Sequence, residues 1–297
     1  MEFKVCASDL PTRLDTWLAS KLDNSSRRSI QKIIDAGSVT INTKIAQKGS
    51  LLNDGNIIRL FEIPTTKIWF ARPDFESNLN ILYKDDHICI VDKPSGLPSV
   101  PLHFNESGTL AGAIAARFPQ CVKIQRRPGD AGLIQRLDTQ TSGVVIAALT
   151  EEAFEKMIRD QSSGTIEKTY LALIHRNGRS LPAHVSKPLG TFCGNPQKVT
   201  VVSNGTAANT DFSLVSEHGR ATLVQAVISH GFRHQIRVHL ACSGFPICGD
   251  ILYNGPSQTG LNRLFLHASK VKFNHPITGK SIIVEAQLPK DLADIIY

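Results

Sequence analysis

Residues Gly132–Leu149 read GLIQRLDTQTSGVVIAAL, and two kinds of sequence meet inside them. From Gln135 to Gly143 the residues are polar or small apart from Leu137; from Val144 to Leu149 all are apolar. An unbroken apolar run of that length suits a strand buried in a sheet. Thr150 then offers an N-cap, with Glu151 and Glu152 in the first turn of a helix expected over Glu151–Ile158. Upstream, Ile81–Tyr83 and Ile88–Val91 read as strands around an Asp85-Asp86 turn. KPSGLPSVP (Lys93–Pro101) breaks regular structure, and helical patterning returns at Leu110–Phe118. Downstream, strands are expected at Tyr170–Ile174, Leu223–Ile228 and Val271–Phe273, the last in a hairpin with Ile282–Val284 through HPITGK. Strands joined by varied turns, with few helices, imply an α+β domain whose central sheet is mixed but largely antiparallel.

The N-terminal region reads differently. Leu14, Trp17, Leu18 and Leu22 recur at helical spacing after Thr12, a candidate N-cap. A second helix is expected from Ser26, with Ile30, Ile33 and Ile34 on one face and Gly37 ending it. Val39–Ile41 and Ile57–Leu60 read as small strands. Residues 63–78 carry two prolines and no period, and read as a linker. The expected organisation is a small helix-helix-strand domain over 1–62, a linker over 63–78 and a large domain over 79–297.

The chain has 297 residues, 41% hydrophobic and 20% charged, which suits folded globular domains with a sizeable core. No apolar run approaches a membrane span and no signal peptide opens the chain, so a cytoplasmic protein is expected. The net charge of +7 points toward a polyanionic partner without naming one, since a solvated basic face gives the same total. Aromatic content of 6% argues against a broad base-stacking platform. The six cysteines, Cys6, Cys89, Cys121, Cys193, Cys242 and Cys248, form no CxxC pair, so neither a metal finger nor a disulfide framework is expected.

Three clusters carry candidate chemistry. In the first, Asp138 stands at the mouth of the buried strand, where Thr141 and Ser142 could donate hydrogen bonds and Gly143 allows close backbone approach. The same pattern also suits an aspartate that merely closes a turn. In the second, SHGFRHQIRVHL (Ser229–Leu240), Arg233 and Arg237 lie four apart on a helical face, with His234 beside them. A cationic face at a helix start suits phosphate or carboxylate. His234 and His239 are five apart, which does not match a zinc pair on one helix. In the third, EKTYLAL (Glu167–Leu173), a strand carries Lys168 and Tyr170 toward whatever lies at its start. Arg27, Arg28 and Lys32 open the second N-terminal helix, where they suit phosphates or simply water.

Taken together, RLDTQTSG, EKTYLAL and RHQIRVHLACSGFPICGD, in that order after KPSGLPSVP, resemble the RluA-type family of RNA pseudouridine synthases, from about Leu79 to the end. TRLDTWL, SRRSIQKIIDAGSVTIN and LLNDGNIIRL resemble the RNA-binding domain first described in small-subunit ribosomal protein four. Departures are modest. Thr43 and Asn56 stand where that domain usually has glycine and aspartate. Gln135 and Thr139 replace a histidine and a larger residue, and Gly231-Phe232-Arg233 replaces Gly-Arg-Thr. The resemblance implies that Asp138 is the catalytic aspartate, Tyr170 the aromatic against the target base and Arg237 the partner of the aspartate. It implies that Arg136 holds the flipped-out RNA. Thr141, Lys168, Arg233 and His234, with Arg27, Arg28 and Lys32, complete the expected RNA contacts.

That reaction needs no redox change and no hydrolysis, so neither cofactor nor metal is expected. Asp138 must be charged in a dry site, and either adds to a sugar carbon or removes a sugar proton; the sequence leaves both open. Arg237→Met is expected to abolish turnover with folding largely intact. A monomer acting on RNA is expected, with large-subunit ribosomal RNA first and transfer RNA second. A non-catalytic RNA-binding assembly factor and a base-excising glycosylase are the rivals.

Overall fold

Short apolar repeats in the first sixty residues fold into a unit with its own core. The computed structural model describes residues 1–22, 27–62, 69–176, 178–192 and 194–296, and the chain divides into two units, Met1–Ile68 and Trp69–Tyr297. The first unit runs β1 (Glu2–Lys4), α1 (Leu14–Lys21), α2 (Arg27–Asp35), β2 (Val39–Ile41), β3 (Lys44–Ile45) and β4 (Ile57–Leu60). Leu14, Trp17 and Leu18 of α1 meet Ile30, Ile33 and Ile34 of α2, and both pack on Val39, Ile58 and Leu60. The sheet order is β1-β4-β2-β3. Thr12 does not cap α1: Arg13 occupies the N-cap with no side-chain capping bond, while the Thr12 carbonyl accepts from Leu52. Ser26, the expected start of the second helix, lies outside the described residues, as do Cys193 and 63–68 of the expected linker. The rest of that linker belongs to the second unit. Ala71 is buried in its core and the Asp74 N–H donates to the Gly112 carbonyl, so this stretch is packed and bonded rather than a spacer.

The second unit is an α+β domain. Its elements are β5 (Asn80–Lys84), β6 (Ile88–Lys93), α3 (Leu110–Arg117), β7 (Ser142–Ala148), α4 (Glu151–Ser163), β8 (Glu167–His175), β9 (His184–Ser186), β10 (Leu189–Phe192), β11 (Asn195–Val201), β12 (Asn209–His218), β13 (Ala221–Ile228), α5 (Gln235–Cys242), β14 (Leu266–Asn274), β15 (Ser281–Glu285) and α6 (Lys290–Ile296). A nine-stranded sheet runs β5-β6-β7-β14-β8-β13-β12-β9, with β15 also on β14, and β10 and β11 pair separately. Every pairing in that sheet is antiparallel except β7 with β14. Alternate β7 side chains enter two clusters. Val145 and Ala147 face one with α3, α5 and α6, while Val144, Ile146 and Ala148 face the other with Ala153, Phe154 and Met157 of α4. Burial on both faces is why this strand shows no polar alternation. No helix among the described residues is long and apolar enough to cross a membrane.

Candidate active site

β7 places the polar loop ahead of it at the edge of its pairing with β14. Gly143 has φ +116°, and a Cβ there would strike the Ala268 carbonyl of β14, so only glycine lets the two strands begin this close. The loop is then held from behind by Lys93–Ser99. The Lys93 ammonium, fully buried, donates to the carbonyls of Pro94 (2.8 Å), Leu97 (2.8 Å) and Thr139 (3.2 Å). The Gly96 N–H also reaches the Thr139 carbonyl, and Ser95 Oγ donates to that of Gln140 at 2.9 Å. Ser99 Oγ donates to the Leu137 carbonyl at 2.7 Å and accepts the Leu137 N–H at 3.0 Å. The backbone on both sides of Asp138 is thus fixed by a second, proline-rich loop.

Asp138 itself is about a quarter exposed, and Arg237 Nη1 of α5 donates to its Oδ2 at 2.8 Å. Arg237 is not free to swing, because its Nε and Nη2 both donate to Asp250 at 2.8 Å, a carboxylate whose side chain is 1% exposed. Burial acts to lower the Arg237 pKa, but Asp250 and Asp138 more than reverse it and hold the guanidinium above its ordinary value. Its charge lies over the ring of Tyr253, 5.1 Å from the centroid. His234 precedes α5, with Nδ1 2.9 Å from the Tyr253 hydroxyl and Nε2 3.7 Å from Asp138 Oδ2. From β8 comes Tyr170, 8% exposed. Burial, then the Asp138 charge, raises its pKa, so the hydroxyl stays protonated. No described group hydrogen-bonds that hydroxyl. A charged carboxylate, an anchored guanidinium and a buried tyrosine therefore share one half-open site.

Not every expected residue joins it. Thr141 is buried, with its N–H donating to the Asp138 carbonyl and its Oγ1 without a partner; Ser142 Oγ pairs with His267 Nδ1 and accepts from Arg263. Neither hydroxyl reaches the Asp138 carboxylate, because the turn points them into the sheet. Lys168, expected to contact RNA, is 4% exposed and donates to Gln161 Oε1 at 3.4 Å; burial pushes its pKa down to about 8. Its strand faces it inward. Arg136 and Arg233 are exposed; burial of part of the Arg136 side chain, then the Arg127 and Arg233 charges, act to lower the Arg136 pKa. His239 is a satisfied core histidine, bonded to Thr210 Oγ1 (2.8 Å) and the Lys187 carbonyl (3.0 Å). Among the described residues, no group of three or more His, Cys, Asp or Glu side chains is arranged to hold a metal ion.

In the first unit, Asp15 is fully buried and accepts from Arg13, Arg27 (3.0 Å) and Gln31 (2.9 Å). Arg27 is therefore committed partly to a carboxylate, whereas Arg28 and Lys32 remain exposed one turn apart on α2. Sequence reading missed Lys93, Ser99, Asp250 and Tyr253. Asp250 and Tyr253 follow Gly249 closely, but nothing local marks them as partners of residues on α5.

Residues 87–242 match the RNA pseudouridylate synthase family model, and residues 12–58 match the S4 domain. The chain is 31% identical over 288 residues to a Bacillus subtilis RNA pseudouridine synthase, YlyB, covering 96% of this chain and 93% of the relative. It is 32% identical over 292 residues to ribosomal large subunit pseudouridine synthase D of Nitrosomonas europaea, covering 96% and 83%. The fold is shared with human RNA pseudouridylate synthase domain containing 1, at a TM-score of 0.55 and 24% identity over 73% of this chain and 86% of that one. Family match, full-length relatives and the arrangement of strands agree: the chain belongs to the RluA-type RNA pseudouridine synthases, with an S4 RNA-binding domain ahead of the catalytic one.

Proposed function

We propose that the protein isomerises uridine in structured large-subunit ribosomal RNA, with Asp138 as the group that reaches the sugar of an extruded nucleotide. The observation that carries this is the Asp138–Arg237 contact of 2.8 Å, itself anchored by buried Asp250. The bond between the anomeric carbon and the uracil nitrogen breaks, the base turns, and the same carbon bonds to ring carbon five. The hydrogen on that ring carbon leaves as a proton and the nitrogen gains one, so atoms and electrons balance with no added reactant. Asp138 either bonds the sugar transiently or takes a sugar proton and returns it. In both routes the carboxylate must be ionised in a site closed to water, and Arg237 supplies the compensating charge. Tyr170 offers its ring to the flipped base, whose unstacking costs a few kcal/mol, and its hydroxyl to the late proton step. Arg136 and Arg233 meet the flanking phosphates. The ribosomal assignment rests on the names of relatives that act on the large subunit.

The test uses ribosomal RNA and transfer RNA, each carrying tritium on uracil ring carbon five, incubated with wild type and Asp138→Ala. Tritium release from ribosomal RNA by wild type alone is expected. Release by the alanine variant would remove Asp138 from the mechanism. Release from transfer RNA alone would replace the substrate, free uracil would indicate a glycosylase, and no release from either RNA would indicate a binding factor.

A further inference from the structure

His234 has a backbone φ of +58°, in the left-handed region that few non-glycine residues enter and that histidine enters more readily than most. The ring is held through Tyr253. In antiparallel β10–β11, Val199 turns both of its backbone groups outward: its N–H donates to the Tyr253 hydroxyl at 2.9 Å, and its carbonyl accepts from that hydroxyl at 3.1 Å. A phenol has one proton to give. With that proton on the Val199 carbonyl, the hydroxyl can only accept at its contact with His234 Nδ1, 2.9 Å away. In that arrangement Nδ1 carries the ring proton and Nε2 presents a lone pair. The edge-to-face contact of the two rings, centroids 5.7 Å apart at 86°, locks the orientation. Burial, together with the Arg237 and Arg233 cations, outweighs Asp138 and keeps His234 below its ordinary pKa, in the neutral form.

Nε2 then faces Asp138 Oδ2 at 3.7 Å, two acceptors side by side in a half-open site with no proton between them. Arg237 Nη1 already occupies one approach to that oxygen. What completes the remaining approach is a donor. If Asp138 acts on the anomeric carbon or on its neighbour, the 2′-hydroxyl is at most two bonds from the reacting carbon, and within an RNA strand it is the only free hydroxyl of the sugar. We propose that His234 Nε2, beside Asp138 Oδ2, accepts the proton of the target nucleotide's 2′-hydroxyl, making His234 the residue that distinguishes a ribonucleotide from a deoxyribonucleotide there. The inference rests on Asp138 being the carboxylate that reaches the sugar.

Two measurements on the full chain test it. Long-range proton–nitrogen correlation of histidine-labelled protein reads the tautomer without any RNA; a His234 protonated at Nε2 overturns the proposal. The second takes the shortest RNA fragment that wild type modifies, synthesised with uridine or 2′-deoxyuridine at the target, and compares the KM of the first with the inhibition constant of the second. Wild type should favour the ribose form roughly three- to tenfold, the worth of one neutral hydrogen bond. His234→Asn, which tolerates the left-handed backbone, should bring the ratio close to one. His234→Gln, whose longer side chain carries an acceptor, should restore part of it. If the asparagine variant is inactive, direct binding of both fragments gives the ratio. A ratio unchanged in His234→Asn overturns the role while leaving the synthase reading intact. Persistent turnover by Asp138→Ala would instead remove that reading itself.

Discussion

Arg237 serves two carboxylates of very different burial, and this separates what two substitutions should do. Asp138 is open enough to be hydrated if its partner is lost, whereas the Asp250 side chain is 1% exposed and has both oxygens committed to Arg237. Removing one partner of a buried ion pair leaves an uncompensated charge, at a cost of about 3–5 kcal/mol. Arg237→Met should therefore lose turnover and also shift the urea midpoint sharply downward, while Asp138→Asn loses turnover with little change in midpoint. Equal midpoints for the two would refute the account. The expectation that folding survives Arg237→Met largely intact takes no account of Asp250, which the sequence does not mark as a partner. Asp138 and Arg237 are 99 residues apart, so no local spacing could have joined them; only the family resemblance did. The tautomer of His234 is further still from view, since it depends on Val199 and Tyr253 on separate elements.

Strand β8 shows what an element hides. Lys168 and Tyr170 are two residues apart and share a face, yet one is a buried ammonium with a single long hydrogen bond and the other lines the site. Burial lowers the Lys168 pKa to about 8, against about 10.4 in an unfolded chain. Below pH 8 the folded state must hold the charge in its interior and the full penalty applies. Between pH 8 and about 10.4 the unfolded chain binds the proton that the folded one has released, so stability rises with pH across that window. Lys168→Met should stabilise the fold at pH 7 by about 2–3 kcal/mol, read as a higher melting temperature, and flatten that rise to the share left by Lys93, also lowered to about 8. A variant less stable at pH 7 would show that the ammonium is better satisfied than its geometry indicates. Several long elements were legible because they carry a pattern, α4 with its Thr150 cap, β7 as an unbroken apolar run, and β8 and β13 as strands, whereas ten-residue β12, with Leu214 and Val215 exposed, was not expected. The short strands β1, β3 and β9 carry none, and their pairing comes only from tertiary structure.

At the scale of the whole chain, the net charge of +7 becomes meaningful only when its members are sorted by what they already hold. On α2, Arg27 is tied to buried Asp15, while Arg28 and Lys32 face water four residues apart. A cation spent on a fixed carboxylate releases few counterions when RNA arrives; an uncommitted one releases nearly a full ion per phosphate neutralised. Asp138, Tyr170 and Arg237 all belong to the second unit, and the basic face of α2 is expected to act on capture. Arg28→Ala with Lys32→Ala should then raise KM for RNA and leave kcat at saturating RNA unchanged. The slope of log KM against log salt should fall by about 1 for each phosphate that is no longer neutralised. Measuring KM from low to physiological salt for wild type and the double variant checks this. An unchanged slope would place RNA elsewhere on the first unit, and a fall in kcat with the slope intact would mean that α2 influences the catalytic step itself.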